Sequence, residues 1–98
     1  MKSYLSRKEA AAVLSLSLRE VSRIVDDVRE QMGKRYGEYA VIGQGKTTRI
    51  SSVVLIDFLR YRNFIGTIYE RPFNITEAKQ YLLLFPETVG TEEGGDES

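Results

Sequence analysis

Between Leu5 and Val25 the chain reads L-S-R-K-E-A-A-A-V-L-S-L-S-L-R-E-V-S-R-I-V, and it carries the same helix-start signal twice, eleven residues apart. Ser6 with Glu9, and Ser17 with Glu20, have the S-x-x-E spacing in which the serine hydroxyl accepts the amide proton three residues on and the glutamate reaches back to the serine amide. Two helices therefore begin close together. The first has room for about two turns, so the segment must be a short helix, a tight turn at Ser15-Leu16 and a longer helix crossing it at a steep angle. That is a helix-turn-helix pattern.

The second helix is strongly amphipathic. Val21, Ile24, Val25, Val28 and Met32 form one apolar stripe, and Arg19, Ser22, Arg23, Asp26, Asp27, Arg29 and Glu30 fill the rest of the surface. Gly33 is placed to end this helix in a left-handed cap, with Lys34 and Arg35 beyond it, where cations suit the dipole. In the first helix Ala10, Ala11, Val13 and Leu14 make the inner face, and the small alanines allow close approach. Next come Glu38 to Ile42 and Thr47 to Ile50, two short segments rich in β-branched and aromatic residues, joined by Gly43-Gln44-Gly45-Lys46. This pattern predicts a hairpin. Ser51 then caps a third helix with Val54, Leu55, Phe58 and Leu59 turned inward.

Beyond Arg62, residues 63–71 either extend the third helix to a turn at Gly66 or supply a short strand at Thr67-Ile68-Tyr69. Asn74 with Glu77 repeats the capping spacing before an apolar face of Ala78, Tyr81, Leu82 and Phe85, and Pro86 stops that helix. Residues 87–98 are acidic and Gly-containing, and read as a disordered tail. The expected fold is mainly α with a small β-hairpin wing: a winged helix-turn-helix over residues 1–62, an extension with one helix over 63–86, and the tail over 87–98.

The net charge of zero conceals an imbalance. Residues 1–62 hold twelve Lys or Arg against seven acids, and residues 63–98 hold two against seven. Basic charge therefore gathers on the helix-turn-helix part, as phosphate binding requires, although chance clustering on a solvated surface gives the same count. The chain has no Cys and no His, which removes thiolate nucleophiles, imidazole bases and the usual zinc ligands. No serine has an evident base, so we expect no enzyme, no metal site, no cofactor and no small-molecule substrate. The apolar runs are too short to span a bilayer and no signal peptide opens the sequence, which leads us to expect a cytoplasmic protein with no membrane contact. Gly45-Lys46-Thr47 imitates the end of a phosphate-binding P-loop, but Ala40 stands where its first glycine is required.

Residues 5–59 resemble the excisionase-type winged helix-turn-helix, a family related to the DNA-binding part of mercury-resistance-type regulators. The matching residues are Leu5, Ser6, Glu9, Ala10, Ala11, Leu14, Ser17, Val21, Arg23 and Ile24, followed by Gly45, Arg49, Ile50, Leu55, Phe58 and Leu59. Two features depart from the pattern: the second helix runs about two turns longer, and the link to the hairpin lacks a proline. The resemblance implies a small accessory factor of a phage or mobile element that binds repeated DNA sites, bends them and biases a site-specific recombinase towards excision. A transcriptional regulator built on the same module is the alternative, and a winged-helix protein-interaction adaptor is a further one.

In a helix-turn-helix the start of the second helix enters the major groove. The expected base-reading residues are thus Ser17, Leu18, Arg19, Ser22 and Arg23, with either arginine able to chelate a guanine. The competing reading puts both arginines on a solvated face, paired with Glu20, Asp26 or Asp27. Gln44, Gly45, Lys46, Thr47 and Thr48 are the expected wing contacts, or else an ordinary turn whose glycines supply positive φ. Arg7 and Lys8, cations in the first turn of a helix, are candidate phosphate contacts. The expected partner is double-stranded DNA. Tyr81, Leu82 and Phe85 either complete the core or bind a recombinase or a second copy of the chain.

Overall fold

In the computed structural model, which describes residues 2–84, both serine caps close as the spacing predicts. Helix α1 spans Arg7–Leu14 and α2 spans Leu18–Glu30. Ser6 Oγ accepts the Glu9 amide at 3.1 Å while Glu9 Oε1 accepts the Ser6 amide at 2.9 Å. Ser17 and Glu20 repeat the exchange at 3.1 and 3.0 Å. Ser15 takes a left-handed conformation, φ 57°, and the Leu16 amide returns to the Ala11 carbonyl, so α1 stops where the second cap needs it to. The residues just ahead of the caps, Leu5 and Leu16, join the same core as Ala10 and Val21 in the first turns, which fixes how the chain enters each helix. The predicted stripe of α2 is the centre of that core: Val21, Ile24, Val25 and Val28 are all at 3% exposure or below.

The sheet differs from the predicted hairpin in three ways, one of them in the second segment, where Gly45–Thr47 is a 3₁₀ turn and the strand begins only at Arg49 and runs on to Ser51. Strand β1 (Tyr4–Leu5) pairs antiparallel with β3 (Arg49–Ser51), which also pairs with β2 (Val41–Ile42), giving the order β1-β3-β2. Only Val41 and Ile42 of the expected first strand are extended; Glu38–Ala40 is a turn of 3₁₀ helix that drives Ala40 into the core. The N-terminal strand was not foreseen because two residues carry no periodicity. Tertiary bonds hold it: the Ser52 amide donates to the Ser3 carbonyl at 2.9 Å, and the Tyr4 hydroxyl to the Tyr39 carbonyl at 2.8 Å.

Ser51 caps α3 (Ser52–Tyr61), and Val54, Leu55 and Phe58 are buried, with Leu59 half-buried, as expected. Two expectations near the end of α2 need correction. The helix ends at Glu30, and Gly33, although left-handed at φ 87°, serves the following turn rather than the cap. In that turn the Gln31 carbonyl accepts from the amides of Lys34, Arg35 and Tyr36. The chain is thereby turned back on itself, so Arg35 points inward instead of neutralising the helix dipole from outside. Its guanidinium forms a bidentate pair with Asp57 of α3 at 2.9 and 3.0 Å, and Tyr36 donates its hydroxyl to the same carboxylate at 2.5 Å.

Helix α3 ends at Tyr61 without extending to Gly66; residues 62–69 form turns and 70–74 are irregular, and the alternative strand at Thr67-Ile68-Tyr69 is not made, with Ile68 90% exposed. Glu70 and the Arg71 carbonyl instead accept from Arg35, fastening this stretch to the domain. Helix α4 (Ile75–Leu83), capped by the Asn74 side chain on the Glu77 amide at 3.0 Å, packs on α3 through buried Ala78. Leu82 closes a small apolar seam with Val13, Leu14, Leu55 and Leu59. The expectations for Phe85, for the stop at Pro86 and for the tail over 87–98 lie outside the described residues. None of the described helices is long and apolar enough to cross a membrane.

Candidate nucleic-acid interface

The start of α2 and the β2–β3 loop border one open groove of about 800 Å³, lined by Arg7 and Lys8 from α1, Leu18 and Ser22 from α2, and Lys46, Thr48 and Arg49 from the loop side. Four of these side chains are cationic, and no carboxylate among the described residues lines the groove. A cleft lined with one sign of charge focuses its field and attracts polyanions. At 100° per residue, the buried stripe of α2 leaves Arg19 and Arg23 on the opposite, outermost face, with Leu18 and Ser22 on the flank towards the loop. Arg19 and Arg23 are exposed, and neither makes an ion pair among the described residues. The competing expectation, that they are consumed by Glu20, Asp26 or Asp27, finds no ion pair there, although Arg23 is near enough to Glu20 to help hold its carboxyl low. Asp26 and Asp27 are exposed farther along the helix.

The other predicted residues divide. Ser17 is spent as the cap of α2, and its bond from the amide side leaves Glu20 below the usual carboxylate range. Leu18 is half exposed at 48%, a large apolar side chain presented to the groove. Ser22 is half-buried and its hydroxyl accepts from Arg7 at 3.3 Å, while its own proton remains available. Lys8 and Lys46 are exposed, and so are Gln44 and Gly45.

Thr48 requires correction: it is 2% exposed, with its hydroxyl accepting from Arg7 at 3.3 Å, so it braces the loop from inside and presents no side chain outward. Thr47 is exposed, but its hydroxyl donates to the Gln44 carbonyl at 2.7 Å and accepts the Gln44 amide at 3.1 Å, closing the tip on itself. The glycines follow turn chemistry. Gly43 has φ 78°, and a Cβ there would lie 2.2 Å from the Thr47 carbonyl oxygen. Arg7, expected on phosphate, is half-buried and bonded to three protein oxygens.

Two residues of structural weight were missed. Arg49 lines the groove and donates to the Thr48 carbonyl at 2.9 Å; it directly follows the predicted wing residues, and that adjacency was the available signal. Asp57, 2% exposed, anchors the opposite side of the domain. The signal for it was that Asp57 is the sole charged residue from Ser51 to Leu59, in an otherwise apolar run. No protein-family model, no curated protein and no solved structure matches this chain.

Proposed function

We propose that this protein is a non-enzymatic, sequence-specific binder of double-stranded DNA, built as a winged helix-turn-helix with α2 as recognition helix and the β2–β3 loop as wing. One observation carries the reading: Arg19 and Arg23, in no ion pair among the described residues, project from the first turns of α2 beside a groove that four cations and no described carboxylate line. Arginine forks at such a place can chelate the O6 and N7 acceptors of guanine in the major groove. Lys8 and Lys46 flank them at positions suited to phosphate. Asp26 and Asp27 repel phosphates, so the helix enters by its first turns and lifts away beyond them.

Within this class we favour an excisionase-like directionality factor of a phage or mobile element, on the residues that carry the family resemblance. A transcriptional regulator uses the same groove chemistry and differs in the layout of its sites. Selecting bound duplexes from a random DNA pool tests the whole proposal. Adjacent direct repeats filled cooperatively support the recombination role, and a palindrome bound by a stable dimer supports the regulator. A pool that remains unenriched after repeated rounds removes the DNA-binding reading.

A protein-adaptor reading is favoured by different residues. Ile68 and Tyr69 in the turns before α4, and Leu83 and Leu84 at its end, expose between 71% and 90% of their surface, large apolar side chains open to a partner. A strictly monomeric mass in solution across a wide concentration range would argue against self-association through these residues.

A further inference from the structure

Arg7 occupies the first position of α1, where a cation opposes the helix dipole, and its contacts account for its presence there. Nη1 donates to Ser22 Oγ on α2 at 3.3 Å. Nη2 donates to the Gly45 carbonyl at 2.9 Å and to Thr48 Oγ1 at 3.3 Å. One guanidinium therefore joins the beginning of α1, the second turn of α2 and two points of the β2–β3 loop. All its partners are neutral oxygens, and no carboxylate among the described residues pairs with it.

The loop needs such a brace. Strand pairing ends at Ile42↔Arg49, and a hairpin with two ladder positions cannot orient the six residues beyond it. Bonds inside the tip, from the Thr47 amide to the Gln44 carbonyl at 2.9 Å and from the Thr48 amide to the Gly45 carbonyl at 3.2 Å, shape it without attaching it to α2. The other link from α2, Arg29 to the Gly43 carbonyl, is 3.5 Å long, at the limit of a hydrogen bond.

We infer that Arg7 is a positioning residue that sets the distance between the β2–β3 loop and the start of α2, and so the spacing at which the two halves of the interface meet a duplex. The spacing role rests on the DNA-binding reading of that face; the brace does not. A planar fork reaches acceptors on separate elements at once, whereas an ammonium is a point charge on a flexible stem. A loop held in place before binding also spares the complex the cost of ordering it.

Arg7→Lys keeps the charge and removes the fork. In the chain without DNA, we expect amide hydrogen exchange at Thr47 and Thr48 to quicken by about tenfold, with exchange in α2 unchanged. Thr48→Val, which deletes one acceptor from a buried site while nearly keeping its shape, should move the same amides in the same direction by less, and covers the case in which Arg7→Lys folds poorly. On the selected duplex, Arg7→Lys, checked by circular dichroism to be fully folded at the assay temperature, should bind about tenfold more weakly with the slope of log affinity against log salt retained. Unchanged exchange at Thr47 and Thr48 in both variants overturns the brace. Arg7→Lys binding like the unmodified chain, while Arg7→Gln flattens the slope by about 0.9, overturns the positioning role in favour of a phosphate contact. Quickened exchange in a protein that binds no duplex upholds the brace and overturns the spacing role together with the DNA reading.

Discussion

At the end of α2 the chain turns back, and the Arg35 guanidinium is withdrawn from water with a side-chain exposure of 2%, held by both oxygens of Asp57 and by Glu70. At the start of the same helix Arg19 and Arg23 stand in solvent, and Arg7 beside them bonds only neutral oxygens. The first arrangement satisfies its charges internally: the Asp57 pair raises the already high pKa of Arg35 against the opposing effect of burial, and burial together with the Asp57 bond raises that of Tyr36. The second leaves positive charge with no ion pair among the described residues, Arg23 acting only at a distance on Glu20. A stability element tolerates no unpaired charge, because burial without a partner is costly. A polyanion-binding face depends on having some.

The two ends of α2 differ most at Asp57. Asp57→Ala leaves Arg35 buried with only Glu70 and the Arg71 carbonyl, and we expect a loss of about 3–5 kcal/mol of unfolding free energy, read from the denaturant midpoint. A loss under 1 kcal/mol would mean that the knot is solvated and the contrast between the two ends false. Arg23→Ala should do the reverse. Stability should hold within about 0.5 kcal/mol, while discrimination between the selected duplex and a mismatched one falls by about 1–3 kcal/mol, measured by competition binding.

Ser17→Ala touches both stability and the binding face at one residue. Loss of the cap should cost about 0.5–2 kcal/mol of stability and fray the turn that carries Arg19, which circular dichroism and binding would report together. Lys46→Ala should have a smaller effect, weakening binding to all sequences alike and lowering the salt slope by about 0.9. Unaltered affinity in both Arg23→Ala and Lys46→Ala would show that the interface lies elsewhere.

The smallest effect concerns acid. Hydrogen bonds from Ser17 hold Glu20 below its ordinary value of 4.5, and bonds from Lys2 and Ser6 hold Glu9 below it despite the opposing effect of burial. A carboxylate with a depressed folded pKa binds its proton more weakly in the folded state. Its contribution is therefore present above the unfolded value and lost as pH falls through the lowered one. Thermal midpoints should drop as acid is added below about pH 4.5, and the doubly substituted Glu9→Gln, Glu20→Gln chain should drop less steeply. Parallel acid limbs for the two chains would remove the caps from the acid response.

The helical framework was legible in advance because its signals are local. Ser6 with Glu9, Ser17 with Glu20, Ser51 and Asn74 mark helix starts through bonds that span three residues, and the stripe from Val21 to Val28 names its own buried face. The basic clustering and the exposed pair Arg19 and Arg23 could likewise be read from spacing. What pairs across the chain could not be. Strand β1 exists because Leu5 and Tyr4 find Ile50 and Ser51 some 46 residues away, and nothing in two residues announces a distant partner. Arg35 and Arg7 have the same side chain near a helix end, yet one closes the core with Asp57 and the other braces a loop to α2. Their fates depend on which oxygens the fold brings within 3.5 Å, which only tertiary packing decides. Backbone hydrogen bonding along a helix is settled within a few residues, so the helix starts and their buried faces follow from local residues alone. Desolvation of a charge and the bracing of a loop depend on neighbours remote in the chain, and those were decided by the structure alone.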